Sequence, residues 1–187
     1  MAKRLRIAVN AAFLAVPQPD GIPRLSFWLQ RALARRTLGE VEWVLLTPRV
    51  AWHDAAAQLW ELPNCRVVVT PLAGSKPAQI LWRWLLLPIL ALQHRADLLF
   101  NPIGNGPLWL PPGLPLAVVV CDVSWLDQPE VYSRGYRLVM PQIVRRVLAL
   151  ARQVITISEY SAQQLQSRLG IGRDRLHVML CLSLIHI

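Results

Sequence analysis

Two short runs constrain this chain more than any other feature: Leu116–Cys121 (LAVVVC) and Gln153–Ile157 (QVITI), each breaking off abruptly into polar residues. A strand that is apolar on both alternating faces must be covered on both, which is the arrangement of a parallel sheet packed between helices. The polar breaks are Cys121-Asp122 and Ser158-Glu159-Tyr160-Ser161. Polar groups just past the carboxyl ends of parallel strands stand where open α/β sheets place their ligand crevice. These two motifs are therefore the candidates for chemistry.

The same alternation runs through the whole chain. Strand-like runs fall at Leu5–Val9, Val41–Leu46, Arg66–Thr70, Asp97–Phe100, Leu116–Cys121, Gln153–Ile157 and Leu176–Leu180. Helix-like segments lie between them at Arg24–Arg36, Ala51–Trp60, Ala78–His94, Tyr136–Ala151 and Ala162–Leu169. Strands separated by helix-length crossovers predict a parallel sheet. Right-handed crossovers then make it a doubly wound, Rossmann-like α/β lobe of about seven strands.

With 54% hydrophobic residues in 187, the chain has ample material for one core and is not a disordered sequence. Twenty Lys and Arg against eleven Asp and Glu leave a formal charge of +9. Such a balance favours anionic partners: nucleic acid, acidic lipid surfaces or phosphorylated substrates. No aromatic-plus-basic RNA motif or zinc-finger spacing accompanies the charge, so nucleic acid is not an expected partner. Cys65, Cys121 and Cys181 are far apart and lack C-x-x-C spacing, which implies no metal site or redox pair and suits a reducing compartment.

Lys3-Arg4 followed by Ile7–Val16 imitates the start of a signal peptide, but Asn10 interrupts the apolar run and Pro17–Asp20 offers no small-residue cleavage site. A first strand is the expectation. The apolar run Ile80–Leu92 has thirteen residues and contains Arg83, well short of the roughly 20 that a spanning helix needs. It reads as a buried crossover helix. Trp82, Arg83 and Trp84 also suit a helix lying on a membrane surface.

Three turns stand out. Asn10–Leu14 follows the first strand without the G-x-G-x-x-G turn that admits a dinucleotide pyrophosphate, so an NAD or FAD site is not expected. Asp20-Gly21-Ile22-Pro23-Arg24 puts a glycine and a cation at a helix amino terminus, which suits a phosphate or sugar hydroxyl; taken alone, a plain turn with Pro at the first helical position accounts for it better. The loop Asn101–Gly113 (NPIGNGPLWLPPG), with Asn105 in its middle, follows the fourth strand. Asp122 either accepts hydrogen bonds from sugar hydroxyls or caps the loop Val123–Asp127 through its own backbone. Ser158 is an expected helix N-cap. Arg134, Arg137, Arg145, Arg146 and Arg152 form a basic band around the fifth helix, read either as a solvated face or as an attraction for membrane phosphates.

Taken in order, these motifs resemble the amino-terminal lobe of family 4 glycosyltransferases, enzymes of the GT-B fold. The family's first loop, G-[IV]-G-R-[YF], is matched by Gly21-Ile22-Pro23-Arg24-Leu25 with Pro23 in place of the second glycine. Its strand ending in His-Asp, followed by Pro-Glu-x-[YF], is matched by Cys121-Asp122-Val123 and Pro129-Glu130-Val131-Tyr132, with Cys121 in place of the histidine. Its [VT]-x-S-x-[FY]-[ST] pattern is matched by Ile155–Ser161. The resemblance runs from Leu5 to about Cys181.

The resemblance implies a retaining hexosyltransferase that draws on a nucleotide diphosphate sugar as donor substrate and uses neither metal nor other cofactor. The acceptor is a glycan or a polyprenyl-linked or lipopolysaccharide molecule. It places Gly21 and Arg24 near an interlobe cleft, Asn105 and Asp122 by the sugar (Asp122 as the catalytic candidate), and Ser158 and Glu159 along the crevice. The protein is expected in the cytoplasm, peripherally bound at the inner face of the cytoplasmic membrane. Residues 1–181 would form the acceptor-side lobe, with a second, nucleotide-binding lobe in the complete enzyme. Leu182–Ile187 read as an in-frame translation of the transposon end used to fragment DNA for sequencing; coding DNA unlike that end would overturn this expectation. Two other classes stay open: a stand-alone Rossmann-like module binding an anion or a membrane surface without catalysis, and a nucleotide-dependent epimerase.

Overall fold

The computed structural model describes residues 4–70 and 75–180. Cys181 and the expected non-native tail Leu182–Ile187 lie outside the described residues.

Seven parallel strands form one sheet in the order β3-β2-β1-β4-β5-β6-β7. They are β1 (Leu5–Asn10), β2 (Val41–Thr47), β3 (Cys65–Val69), β4 (Leu98–Asn101), β5 (Leu116–Val119), β6 (Gln153–Thr156) and β7 (Leu176–Val178). The fold is a doubly wound, Rossmann-like α/β lobe, as the alternation of runs predicts. Helices α1 (Gly21–Arg36) and α2 (His53–Trp60) cover one face, where Ile7, Val9, Trp43, Leu45, Phe100 and Val119 meet Phe27, Ala34 and Leu59. The other face carries Ala8, Val44, Leu46, Leu99, Leu116, Val118 and Val154. It is covered by Trp82, α4 (Leu87–Gln93), α6 (Arg134–Leu150) and α7 (Glu159–Leu169), with α3 (Lys76–Leu81) leading into Trp82. Every residue of β5 is buried, which is why that run lacks the alternation of a one-sided strand.

Several boundaries differ from the sequence reading for local reasons. Helix α1 starts at Gly21 rather than Arg24, because Gly21 takes φ +45° while Asp20 before it is extended. Pro23 fits the first turn, where backbone N–H groups have no helical acceptor to lose. A short helix α5 (Ser124–Asp127) occupies what read as loop. Strand β5 stops at Val119 and β7 at Val178, two residues short of the runs at each site.

The predicted crossover helix begins at Lys76 and passes through a π-helical turn, Trp82–Leu86, between α3 and α4. Pro88 explains the irregularity. It has no N–H to give the carbonyl four residues back, Trp84 O. That carbonyl accepts instead from Leu108 N at 3.3 Å, and Leu85 O accepts from Trp109 Nε1 at 3.3 Å. The turn is thereby bonded to the loop that follows β4. Trp82, Leu87, Pro88 and Ala91 are buried, as a crossover helix requires. The opposite side is not: Leu81 is 53%, Leu85 46% and Leu92 47% exposed. No helix among the described residues is long and apolar enough to cross a membrane.

Candidate functional site

The strand order reverses direction between β1 and β4, and a sheet of this kind opens its crevice outside the carboxyl ends there. Both strands end in asparagine. Asn10 and Asn101 are fully buried, and Asn10 Nδ2 donates to Asn101 Oδ1 at 2.7 Å. Asn10 Oδ1 in turn accepts from Ala12 N at 3.3 Å. The chain crosses Asn101 closely at Gly106, where a Cβ would sit 2.5 Å from Asn101 Nδ2. Neither asparagine was read as a site residue in the sequence, although a polar residue closing an apolar strand is the same signal that marked Asp122.

Next to this pair a cavity of about 170 Å³ opens between the β4 loop, the end of β5 and α6. Its polar lining is Asn105, Asp122 and Ser124; Ile22, Trp125, Met140 and Val144 give it apolar walls, and Tyr132 and Tyr136 close one side. Asn105 is held by the π-helical turn: its Oδ1 lies 3.4 Å from Trp84 Nε1.

Asp122 is exposed and pinned by Ser124, whose N and Oγ both donate to Asp122 Oδ1, at 3.0 and 2.6 Å. This is the local cap foreseen as the plainer role of Asp122, and it starts α5. Both bonds go to Oδ1, so Oδ2 keeps its acceptor capacity. Ser124 Oγ also lies 2.7 Å from Tyr132 Oη. A hydroxyl has one proton to give; Ser124 gives its own to Asp122, so the Tyr132 hydroxyl donates to Ser124. Tyr136 stacks on Tyr132 with centroids 4.8 Å apart. Burial first, then Tyr132 and Asp122, push the Tyr136 phenol up, so it holds its proton.

The second motif is built differently. Ser158 Oγ accepts from Ser161 N at 3.1 Å, the expected N-cap of α7. Ser158 also donates to Ser161 Oγ at 3.0 Å, and Ser161 Oγ donates to Cys121 O at 3.0 Å. The two strand-end motifs are thus hydrogen-bonded to each other across 40 residues. Ser158 and Glu159 do not line the cavity, and neither do Gly21 and Arg24, which are exposed at the amino terminus of α1; from that turn Ile22 reaches it. The structure therefore gathers Asn105 and Asp122 into the crevice, with Cys121 in its wall. Helices α1, α6 and α7 all begin at this edge, and their positive dipole ends make it hospitable to negative charge.

Residues 19–181 match the model of the family described as Glycosyltransferase Family 4. The chain belongs to glycosyltransferase family 4. A crystal structure of a glycosyltransferase from Rickettsia africae ESF-5 is similar to this family 4 lobe, with a TM-score of 0.52 at 12% identity, a likeness of fold alone. The alignment covers 96% of this chain and 43% of that one, so the lobe spans less than half of that glycosyltransferase's length. No curated protein matches the chain significantly in sequence.

Proposed function

We propose that the protein transfers a hexose, with retention of anomeric configuration, from a nucleotide diphosphate sugar to a glycan or polyprenyl-linked acceptor. The present lobe supplies the acceptor-side wall. The observation that carries the proposal is the crevice at the carboxyl edge of a family 4 lobe, where Asn105, Asp122 and Ser124 face a stacked tyrosine pair. Hydroxyl-bearing substrates suit such a mixture: carboxylate and amide groups read hydroxyls, and aromatic faces cover the apolar faces of a sugar ring or the start of a lipid chain.

In this proposal Asp122, fixed by Ser124 and Tyr132, accepts a hydrogen bond from a sugar hydroxyl through Oδ2 and is the catalytic candidate. Asn105 takes a second hydroxyl. Gly21 and Arg24, at the amino terminus of α1, approach the diphosphate, whose charge on leaving is stabilised by cations and helix amino termini without a metal or other cofactor. Ser158 and Glu159 line the face turned to a second lobe that holds most of the donor. The acceptor arrives at the inner face of the cytoplasmic membrane. The opening of α6 supports that approach: Leu138 and nearby Val131 are 75% and 71% exposed, beside the exposed Arg134 and Arg137.

The test is to read the coding DNA downstream, express the chain with whatever second lobe it encodes, and assay transfer from labelled nucleotide sugars. Transfer by the two-lobed protein is expected, insensitive to chelator and lowered about a hundredfold in kcat by Asp122→Asn, the scale of losing one charge-stabilising contact. Turnover by the 187-residue chain alone, or a downstream frame with no second nucleotide-binding lobe, overturns the proposal.

A further inference from the structure

At the opposite end of α6, three arginines from three separate elements surround a second cavity, of about 300 Å³. Arg145 comes from α6, Arg168 from α7, and Arg175 from the 3-10 turn before β7; Leu148, Leu169 and Ile171 supply apolar walls. Among the described residues no carboxylate lines it. Arg168 pairs with Asp127 at 2.6 Å, and Asp174 is exposed on the neighbouring turn.

Helix carboxyl ends attract cations, and that requirement accounts for Arg175 and for Arg168 in the last turn of α7, but not for Arg145. Arg175 donates from one nitrogen to Leu148 O at 2.8 Å and Ala151 O at 2.6 Å, closing α6. Helix α7 is closed by its own backbone, through Gly170 N and Ile171 N. Arg145 is exposed and makes no hydrogen bond or ion pair among the described residues.

We infer that this cavity is a binding site for a phosphate-class oxyanion: free phosphate or pyrophosphate, a phosphomonoester, or the phosphate of a lipid headgroup. Guanidinium forks match tetrahedral oxyanions. Arg175, whose guanidinium is already held by two carbonyls, contributes its charge at little cost in rotamer freedom. The volume is at the lower end of small-ligand pockets, the size such an anion needs. The site is separate from the crevice and does not depend on the proposed sugar transfer, but the two share α6, which lines the crevice with Tyr136, Met140 and Val144 and this cavity with Arg145.

The test follows the arginine Nε–Hε resonances of the full chain by NMR while inorganic pyrophosphate, or vesicles of phosphatidylglycerol or of phosphatidylcholine alone, are added. Saturable shifts at Arg145 and Arg175 are expected. Pyrophosphate producing them assigns a soluble ligand; phosphatidylglycerol vesicles producing them alone assign a headgroup. Arg145→Gln, at an exposed residue with no partner to lose, should weaken binding about tenfold. Arg35→Gln, the same charge change on α1 across the sheet, should alter it less than about twofold. Equal effects of the two variants, or no saturable shift with any probe, overturn the inference.

Discussion

Ser161 shows how much can hang on one hydroxyl. Its Oγ is the buried bond between α7 and the carbonyl of Cys121, while its N–H is taken by the Ser158 cap. Ser161→Ala removes the first and keeps the second, taking a buried hydrogen bond from between α7 and the end of the β5 run. The expected loss is about 1–2 kcal/mol in urea unfolding, with α7 still capped. A loss no larger than that of an exposed change such as Ser167→Ala would contradict this role. The Ser158 cap was legible because cap and target are three residues apart. The Cys121 partner was not, because nothing local ties positions 121 and 161 together. Asn10 and Asn101 failed the same way: each was visible as a polar stop on an apolar run, but their pairing spans 91 residues.

At the scale of elements, capping chemistry decides where helices end. Helix α4 closes with Arg95 N on Leu92 O and Ala96 N on Ala91 O, and this forces Arg95 to φ +53°, a conformation that glycine occupies without strain. Arg95→Gly is therefore expected to stabilise the chain by about 0.5–1 kcal/mol, measured as a raised urea midpoint at unchanged slope. Unchanged or lower stability would show that the arginine side chain supplies more than the backbone loses. Helices were legible from their apolar spacing. The π-helical turn was not, although Pro88 is its visible cause, because the donors that replace the missing one come from Leu108 and Trp109 in another loop. The same turn holds Asn105 through Trp84 Nε1, so a candidate site residue is tied to an irregularity set by a proline seventeen residues earlier.

For the molecule as a whole, the two edges of the sheet have opposite responses to pH. His94, at the amino edge, is pushed below its usual 6.5 by burial, then by Arg66 and Arg6, against a smaller upward pull from Glu42. Its unfolded form therefore takes a proton first, and stability falls as pH drops below about 6.5. Tyr136, at the carboxyl edge, is raised above 10.0. Its unfolded form loses a proton first, so stability also falls as pH rises past about 10. Unfolding followed across pH should show both limbs; His94→Gln should flatten the acid one. Tyr136→Phe should flatten only the part of the alkaline one above about 10, because burial pushes the Cys65 thiol from 9.0 up to about 12 and starts that limb at lower pH. Limbs unmoved by these changes would assign the effect to other groups.

The amino-acid sequence by itself determined that the chain makes a parallel sheet wrapped by helices. Runs buried on both faces leave no other solution, and parallel strands need crossovers of helix length. It also held, in the order and spacing of its motifs, the family to which the chain belongs. Tertiary packing was needed to bring Asn105 and Asp122 into one crevice with two stacked tyrosines, to leave the Ser158 cap outside it, and to gather three scattered arginines around one cavity. Which side chains meet depends on strand order, register and crossover path, and these are set by contacts between residues far apart in the chain.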